Sequence, residues 1–218
     1  MKTTEFIYIA DPMCSWCYGF GKELQEFLQD FESSRLEIVL GGLRAYQRQA
    51  CDAEMANMIL GHWQKVQEVS GLDFTMPGLM QAGFIYDTEP VCRAMVWAQL
   101  YCDELSSQQQ LDLFSALQRA FYAESKDVTQ VPVLAEILAE LLKRVEFGYE
   151  FSLDEILEGL QATATQEQTR AHFQQVQQWG VRGFPVLLLV QENGLHMLGN
   201  GYTKASQLRA NLAEILTS

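Results

Sequence analysis

Basic residues are scarce in this chain: 15 Lys and Arg stand against 28 Asp and Glu, a formal net charge of −13. The average field repels phosphate backbones and anionic lipid surfaces, so neither nucleic acid nor a membrane is an expected partner. Long hydrophobic runs are also missing. A membrane-spanning helix needs about 20 apolar residues, whereas the run Val186-Leu187-Leu188-Leu189-Val190 stops at Gln191. The segment from Met1 to Ala10 carries one basic residue and reaches Asp11-Pro12 without the length or small-residue cleavage site of a secretory signal, so the cytoplasm is the expected compartment. There is no internal repeat and no linker rich in Pro, Gly or Ser. Cysteine occurs five times, at positions 14, 17, 51, 92 and 102, an odd number that argues against a structural disulfide framework. What remains is 218 residues, 48% hydrophobic and 20% charged, the composition of a folded globular protein. A chain of this length buries roughly 70% of its unfolded surface.

Residues 5–10 are rich in Phe, Ile and Tyr and read as a strand, as do Arg35 to Leu40 before Gly41-Gly42. Between them Leu24, Phe27, Leu28 and Phe31 recur at helical spacing. After Gly42 the pattern is helical for more than a hundred residues: Met55 to Ser70, Thr88 to Cys102, Ser106 to Tyr122, Val131 to Val145, and a short helix opened by Ser152 with Glu155. Thr165 with Gln168 predicts the cap of a further helix running to Trp179. Pro185 to Val190 reads as a buried strand, Glu192-Asn193-Gly194 as a turn, Leu195 to Leu198 as the returning strand, and Thr203 to Leu216 as a last helix. The expected fold class is α/β with a large all-helical insertion: residues 1–44 and 163–218 form the host domain and 45–162 the inserted one.

Cys14-Ser15-Trp16-Cys17 falls at the first strand-to-helix junction. A zinc site would need a second pair of ligands at short spacing, which the other cysteines and His62, His172 and His196 do not make, so no metal is expected. In a redox pair, Cys14 at the helix start attacks and Cys17, one turn inside, resolves. The attacking species is a thiolate, and free cysteine titrates near pH ~8.5. The helix macrodipole at an exposed site contributes only ~0.3 to 1 kcal/mol, so the N–H groups of Trp16 and Cys17 are expected to add donors. Ser15-Trp16 brings no basic side chain, and Trp16 reads either as a flat apolar contact for substrate or as packing. Far along the chain, Gly180-Val181-Arg182-Gly183-Phe184-Pro185 puts a proline at a strand mouth, where a cis bond makes a tight turn. In company with the Cys pair the expectation is a cis Pro185, with Phe184's backbone groups free to pair with an extended substrate.

These segments together resemble the DsbA-like branch of the thioredoxin superfamily, in its FrnE-like or predicted protein-disulfide isomerase group. The resemblance is carried by Asp11-Pro12-Met13-Cys14-Ser15-Trp16-Cys17-Tyr18-Gly19-Phe20, by the Gly-Val-Arg-Gly-Phe-Pro segment, and by residues 86–94 and 120–128, and it covers nearly the whole chain. It implies a thioredoxin-like host fold, a nucleophilic Cys14, a resolving Cys17, a cis Pro185 beside them, and contact with protein or small-molecule disulfides through Ser15, Trp16, Phe184 and Pro185. No cofactor is bound; the redox-active disulfide is Cys14–Cys17, with glutathione or another thiol as co-substrate. The dipeptide departs from the Pro-His of the exported oxidase, and Val186 stands where Thr is common, so strong periplasmic oxidation is not carried over.

Two rivals stand beside thiol-disulfide exchange. One is a glutathione-dependent isomerase or transferase of the kappa or hydroxychromene-carboxylate type, which usually carries a lone serine in place of the two cysteines. The other is a chaperone-like binding module. Cys92 and Cys102 fall on one helix about 15 Å apart, beyond disulfide reach, and read as core thiols. Cys51 is open to a regulatory role. His62 and His172 are not placed as acid or base. Gly71 to Asp87, with Phe74, Met76, Met80, Phe84 and Tyr86, reads first as core packing and second as a cap on the site.

Overall fold

The computed structural model describes residues 4–31, 33–102, 105–144 and 147–217. Strand β1 (Glu5–Ala10) leads into helix α1 (Ser15–Leu28) and strand β2 (Arg35–Leu40). Five helices follow: α2 (Ala53–Ser70), α3 (Glu89–Tyr101), α4 (Ser107–Tyr122), α5 (Val131–Leu142) and α6 (Leu153–Gln161). The chain returns through α7 (Thr163–Gln178), β3 (Val186–Gln191), β4 (Gly194–Asn200) and α8 (Ala205–Thr217). The four strands lie in the order β2-β1-β3-β4. β1 is parallel to β2, and β3 is antiparallel to both of its neighbours.

β1 is buried on both faces, which is why its sequence is continuously apolar. Phe6, Tyr8 and Ala10, with Leu187 and Leu189 of β3, face the large core shared with α1 and the inserted helices. Ile7, Ile9, Val39, Val186 and Leu188 face the other way, onto Val176 of α7. The outer edge of β2 is closed by side chains. Ser107 Oγ accepts from Leu36 N–H at 2.9 Å, and His172 Nδ1 accepts from Leu40 N–H at 3.2 Å. Gln110 Nε2 donates to Leu36 O at 3.3 Å and Gln99 Nε2 to Ile38 O at 3.0 Å. Four backbone groups at this edge thus meet side chains of elements that pack beside it.

Local signals placed most helix starts. Ser106 with Gln109 and Ser152 with Glu155 both form reciprocal capping boxes. Three expectations need correction. The helix expected from Met55 starts at Ala53, because the Asp52 carboxylate accepts from Met55 N–H at 2.8 Å. Thr88 occupies the cap position of α3 without capping it; its hydroxyl accepts from Arg44 N–H at 3.1 Å, and Asp87 Oδ1 accepts from Glu89 N–H instead. Thr165 is inside α7, where its hydroxyl donates back to Gly159 O at 2.7 Å and ties α7 to α6. Val145, the expected end of the fifth helix, lies outside the described residues.

The apolar connection from Gly71 to Asp87 is core. Phe74, Met80 and Tyr86 are buried. Phe74 and Tyr122 pack on Tyr18 of α1, the Tyr18 and Tyr122 rings stacked with centroids 5.0 Å apart. Thr75 N–H donates to Tyr122 O at 2.8 Å and Tyr18 O–H to Asp73 O at 3.3 Å, so the segment seals the joint between α1 and the inserted helices.

Candidate active site

The turn that leaves β1 is built on its own backbone: Cys14 N–H donates to Asp11 O at 3.0 Å, and Tyr18 N–H to Cys14 O at 3.0 Å, opening α1. Cys14 is the cap residue with extended backbone (φ −89°, ψ 114°), and Cys17 lies in the first helical turn. Both thiols are free. Cys14 is 6% exposed and Cys17 fully buried. Burial, together with the neighbouring Cys14, pushes the Cys17 thiol well above its ordinary range, while a hydrogen bond from the Asp11 backbone works against that shift.

Cys14 Sγ makes no cap hydrogen bond to the helix N–H groups expected to receive it. It donates instead to the Phe184 carbonyl, at 3.6 Å. A protonated thiol has a hydrogen to give and is a weak acceptor, so a carbonyl serves it better than an amide N–H. The Phe184–Pro185 bond is cis. Pro185 is buried, and its carbonyl accepts from Gly201 N–H at 2.7 Å. The Phe184 ring lies directly over Gly41, where a Cβ would fall 2.1 Å from its Cζ. Only glycine permits that approach, so the loop after β2 and the loop before β3 meet beside the cysteines. Trp16 is half-buried and edge-on to Tyr202, centroids 6.2 Å apart; Ser15 is buried in the first turn of α1.

Asp11, unremarked in sequence, is the hub of this region. It is fully buried; Oδ1 accepts from Met13 N–H at 2.8 Å and Oδ2 from Leu43 N–H at 2.6 Å. Cys92 Sγ donates to the same Oδ2 at 3.5 Å. Burial raises the Asp11 carboxyl, and hydrogen bonds from Thr88, Leu43, Met13 and Cys92 oppose that rise. Tyr86 O–H donates to the Met13 carbonyl, one residue from Cys14, and Tyr8 O–H to Cys17 O at 3.4 Å. The contacts from Leu43, Tyr86 and Cys92 join residues 32 to 81 positions apart, beyond any local pattern. The motif Asp-x-x-Cys, read as a side chain folding back on the turn it opens, was the available signal for Asp11.

The other candidates disperse. Cys51 is buried beneath the connection, between the backbone groups of Gly83 and Phe84. Cys92 sits on Asp11, and Cys102 ends α3. His172 serves the β2 edge; burial lowers its pKa to about 4, which keeps it a neutral acceptor. Among the described residues no group of three or more His, Cys, Asp or Glu is arranged to hold a metal ion, and no helix is long and apolar enough to cross a membrane.

No family model and no curated protein sequence matches the chain. Solved structures do. A protein from Nitrosomonas europaea, named as a candidate protein disulfide isomerase, is 32% identical over 99% of this chain and 98% of its own, with a TM-score of 0.85. The cytosolic disulfide reductase DsbM from Pseudomonas aeruginosa is 23% identical over 98% of both chains, TM-score 0.73. A 2-hydroxychromene-2-carboxylate isomerase shares the fold at 12% identity over 97% of this chain and 96% of its own, TM-score 0.65. With a thioredoxin-like sheet, an all-helical insertion and a full-length relative at that identity, the chain belongs to the DsbA-like family of the thioredoxin superfamily and is a thiol-disulfide oxidoreductase.

Proposed function

We propose that Cys14 and Cys17 are the redox pair of this enzyme and that it exchanges disulfides with protein or small-molecule thiols, glutathione among them. The observation that carries the reading is the placement of Cys14 at the tip of α1, against the Phe184 carbonyl and one turn before a buried second thiol. In the reducing direction, the Cys14 thiolate attacks one sulfur of the substrate disulfide, forming a mixed disulfide and expelling a thiolate. The Cys17 thiolate then attacks Cys14 Sγ, closing Cys14–Cys17 and expelling the second thiolate. The pair loses two electrons and two protons and the substrate gains them; oxidation of a substrate dithiol is the reverse. Trp16 and Phe184 form the flanks that meet substrate, with Ser15 and Pro185 holding the turn and loop beneath them.

A DsbM structure solved with GSH supports a thiol co-substrate, and that protein's cytosolic description supports a cytoplasmic setting. Both thiols of a Cys-x-x-C pair favour exchange over the isomerase chemistry of the hydroxychromene relative, for which a resolving thiol has no use. We take residues 45–162 as the inserted unit and 1–44 with 163–218 as its host.

The test is Cys17→Ala incubated with a disulfide substrate. Mixed disulfides should accumulate on Cys14 and vanish in Cys14→Ala/Cys17→Ala, while the unmodified protein should show a reversible two-electron couple in a glutathione redox titration. No trapped adduct and no such couple would remove the reading.

A further inference from the structure

Arg44 occupies an unusual position for a cation. Among the described residues, Arg35, Arg93, Arg119, Arg144 and Arg209 each have a carboxylate within 4.0 Å. Arg48, Arg170 and Arg182 have none and stand exposed in solvent. Arg44 alone is part-buried and without a carboxylate partner, in a chain of net charge −13. Its Nη1 donates to the Met55 sulfur, at 3.8 Å, and its guanidinium carbon lies 5.6 Å from the centre of the Tyr86 ring. That same Tyr86 bonds the Met13 carbonyl, so the guanidinium stands one side chain away from the turn that carries Cys14.

The backbone under Arg44 is held amide by amide. Leu43 N–H donates to Asp11, Arg44 N–H to Thr88 Oγ1, Ala45 N–H to Gly42 O and Tyr46 N–H to Asp87 Oδ1. Tyr46 adopts φ 65°, a conformation a bulky residue keeps only when its surroundings impose it. The same loop exposes Leu43 by 42% and Tyr46 by 50%. Four anchored amides thus fix a short ledge beside the cysteines, with apolar side chains at its rim and an uncompensated guanidinium between them. Fixing a binding group in advance lowers the cost of ordering it on association.

We infer that Arg44 is the carboxylate anchor of this site and selects small disulfides bearing carboxylates, of which glutathione disulfide is the type. This rests on the exchange chemistry proposed above for Cys14 and Cys17. A guanidinium presents a planar fork that matches a carboxylate with two parallel hydrogen bonds. Tyr86 links the two groups: the guanidinium carbon lies 5.6 Å from its ring centre, and its hydroxyl bonds the Met13 carbonyl next to Cys14. The reaction is stoichiometric: reduced protein and glutathione disulfide give the Cys14–Cys17 disulfide and two glutathione thiols, with no other reactant.

Reduced protein is mixed with glutathione disulfide or with 2-hydroxyethyl disulfide, which carries no charge, and oxidation is followed by acid quench, alkylation and mass. In Arg44→Gln the ratio of the two second-order rate constants, glutathione disulfide over 2-hydroxyethyl disulfide, should fall about tenfold, with partial recovery in Arg44→Lys. A ratio unchanged within a factor of about two, or both rates falling in step, overturns the inference and leaves the exchange reading standing. Failure of the unmodified protein to react with either disulfide removes the exchange reading and this inference with it. A second measurement needs no variant. S-methylglutathione should slow oxidation of the unmodified protein by 2-hydroxyethyl disulfide, and its diester should not; equal effects of the two overturn the inference.

Discussion

At the scale of single residues, the site is held by groups whose partners are distant in sequence. Asp11 satisfies the buried amide of Met13 and the part-buried amide of Leu43, and leaving the buried one unpaired costs about 1 to 3 kcal/mol. Asp11→Ala should lower stability by that amount in urea titration, whereas Asp11→Asn, which keeps a carbonyl acceptor, should lose less. Gly41→Ala forces the Phe184 ring off its seat; about 1 to 3 kcal/mol of destabilisation is expected, with slower trapping of mixed disulfides on Cys14 as the Phe184 carbonyl moves. The burial that raises the Cys17 thiol sets a pH dependence. A raised pKa leaves this group protonated at neutral pH, so its attack on the mixed disulfide gains thiolate as pH rises. Release from a Cys14-linked adduct, followed by quenched-flow mass sampling, should keep accelerating past pH ~8.5, where free cysteine titrates; a plateau below pH ~8 would contradict it. Cys14 and Cys17, proposed above as the redox pair, could be singled out because their spacing is written in four consecutive residues. Asp11, Tyr86 and Arg44 were not, because what matters about them is the chain segment that closes over them.

At the scale of elements, the helices with caps of local origin were placed almost to the residue. Thr88 and Thr165 were misread because a hydroxyl three residues from a Gln or near a helix start has more than one carbonyl or amide within reach, and tertiary packing chose another. The Gly71–Asp87 connection was read first as core packing, as found; what its three glycines and one proline hid was which element its aromatic residues pack on. His172 provides a test at this scale. Its pKa is lowered from 6.5 to about 4, so the folded state favours the neutral ring. That contribution is complete above pH 6.5 and is lost as pH falls toward 4, a change of about 3 kcal/mol if the ring is the sole cause. Unfolding free energies measured across this range should show the loss, and His172→Gln should flatten it, because an amide oxygen accepts from Leu40 N–H without titrating.

At the scale of the molecule, all five thiols are buried to different depths: Cys14 is 6% exposed, Cys51 3%, Cys102 2%, and Cys17 and Cys92 0%. Brief treatment of the reduced native protein with a small alkylating reagent should modify Cys14 first, and the full set should react only in denaturant; mass spectrometry of the digested protein checks the order. The least buried of the five is the sulfur proposed above as the nucleophile. The side chains of Ser107, Gln110, Gln99 and His172 along β2 carry a consequence for association. A sheet polymerises through its edges only when both are free to accept a neighbour, and here one of the two is already occupied by its own chain. Strand-on-strand pairing is therefore directed to β4, and two copies joined there leave outward only the edges that their own side chains occupy, which favours a pair over a filament.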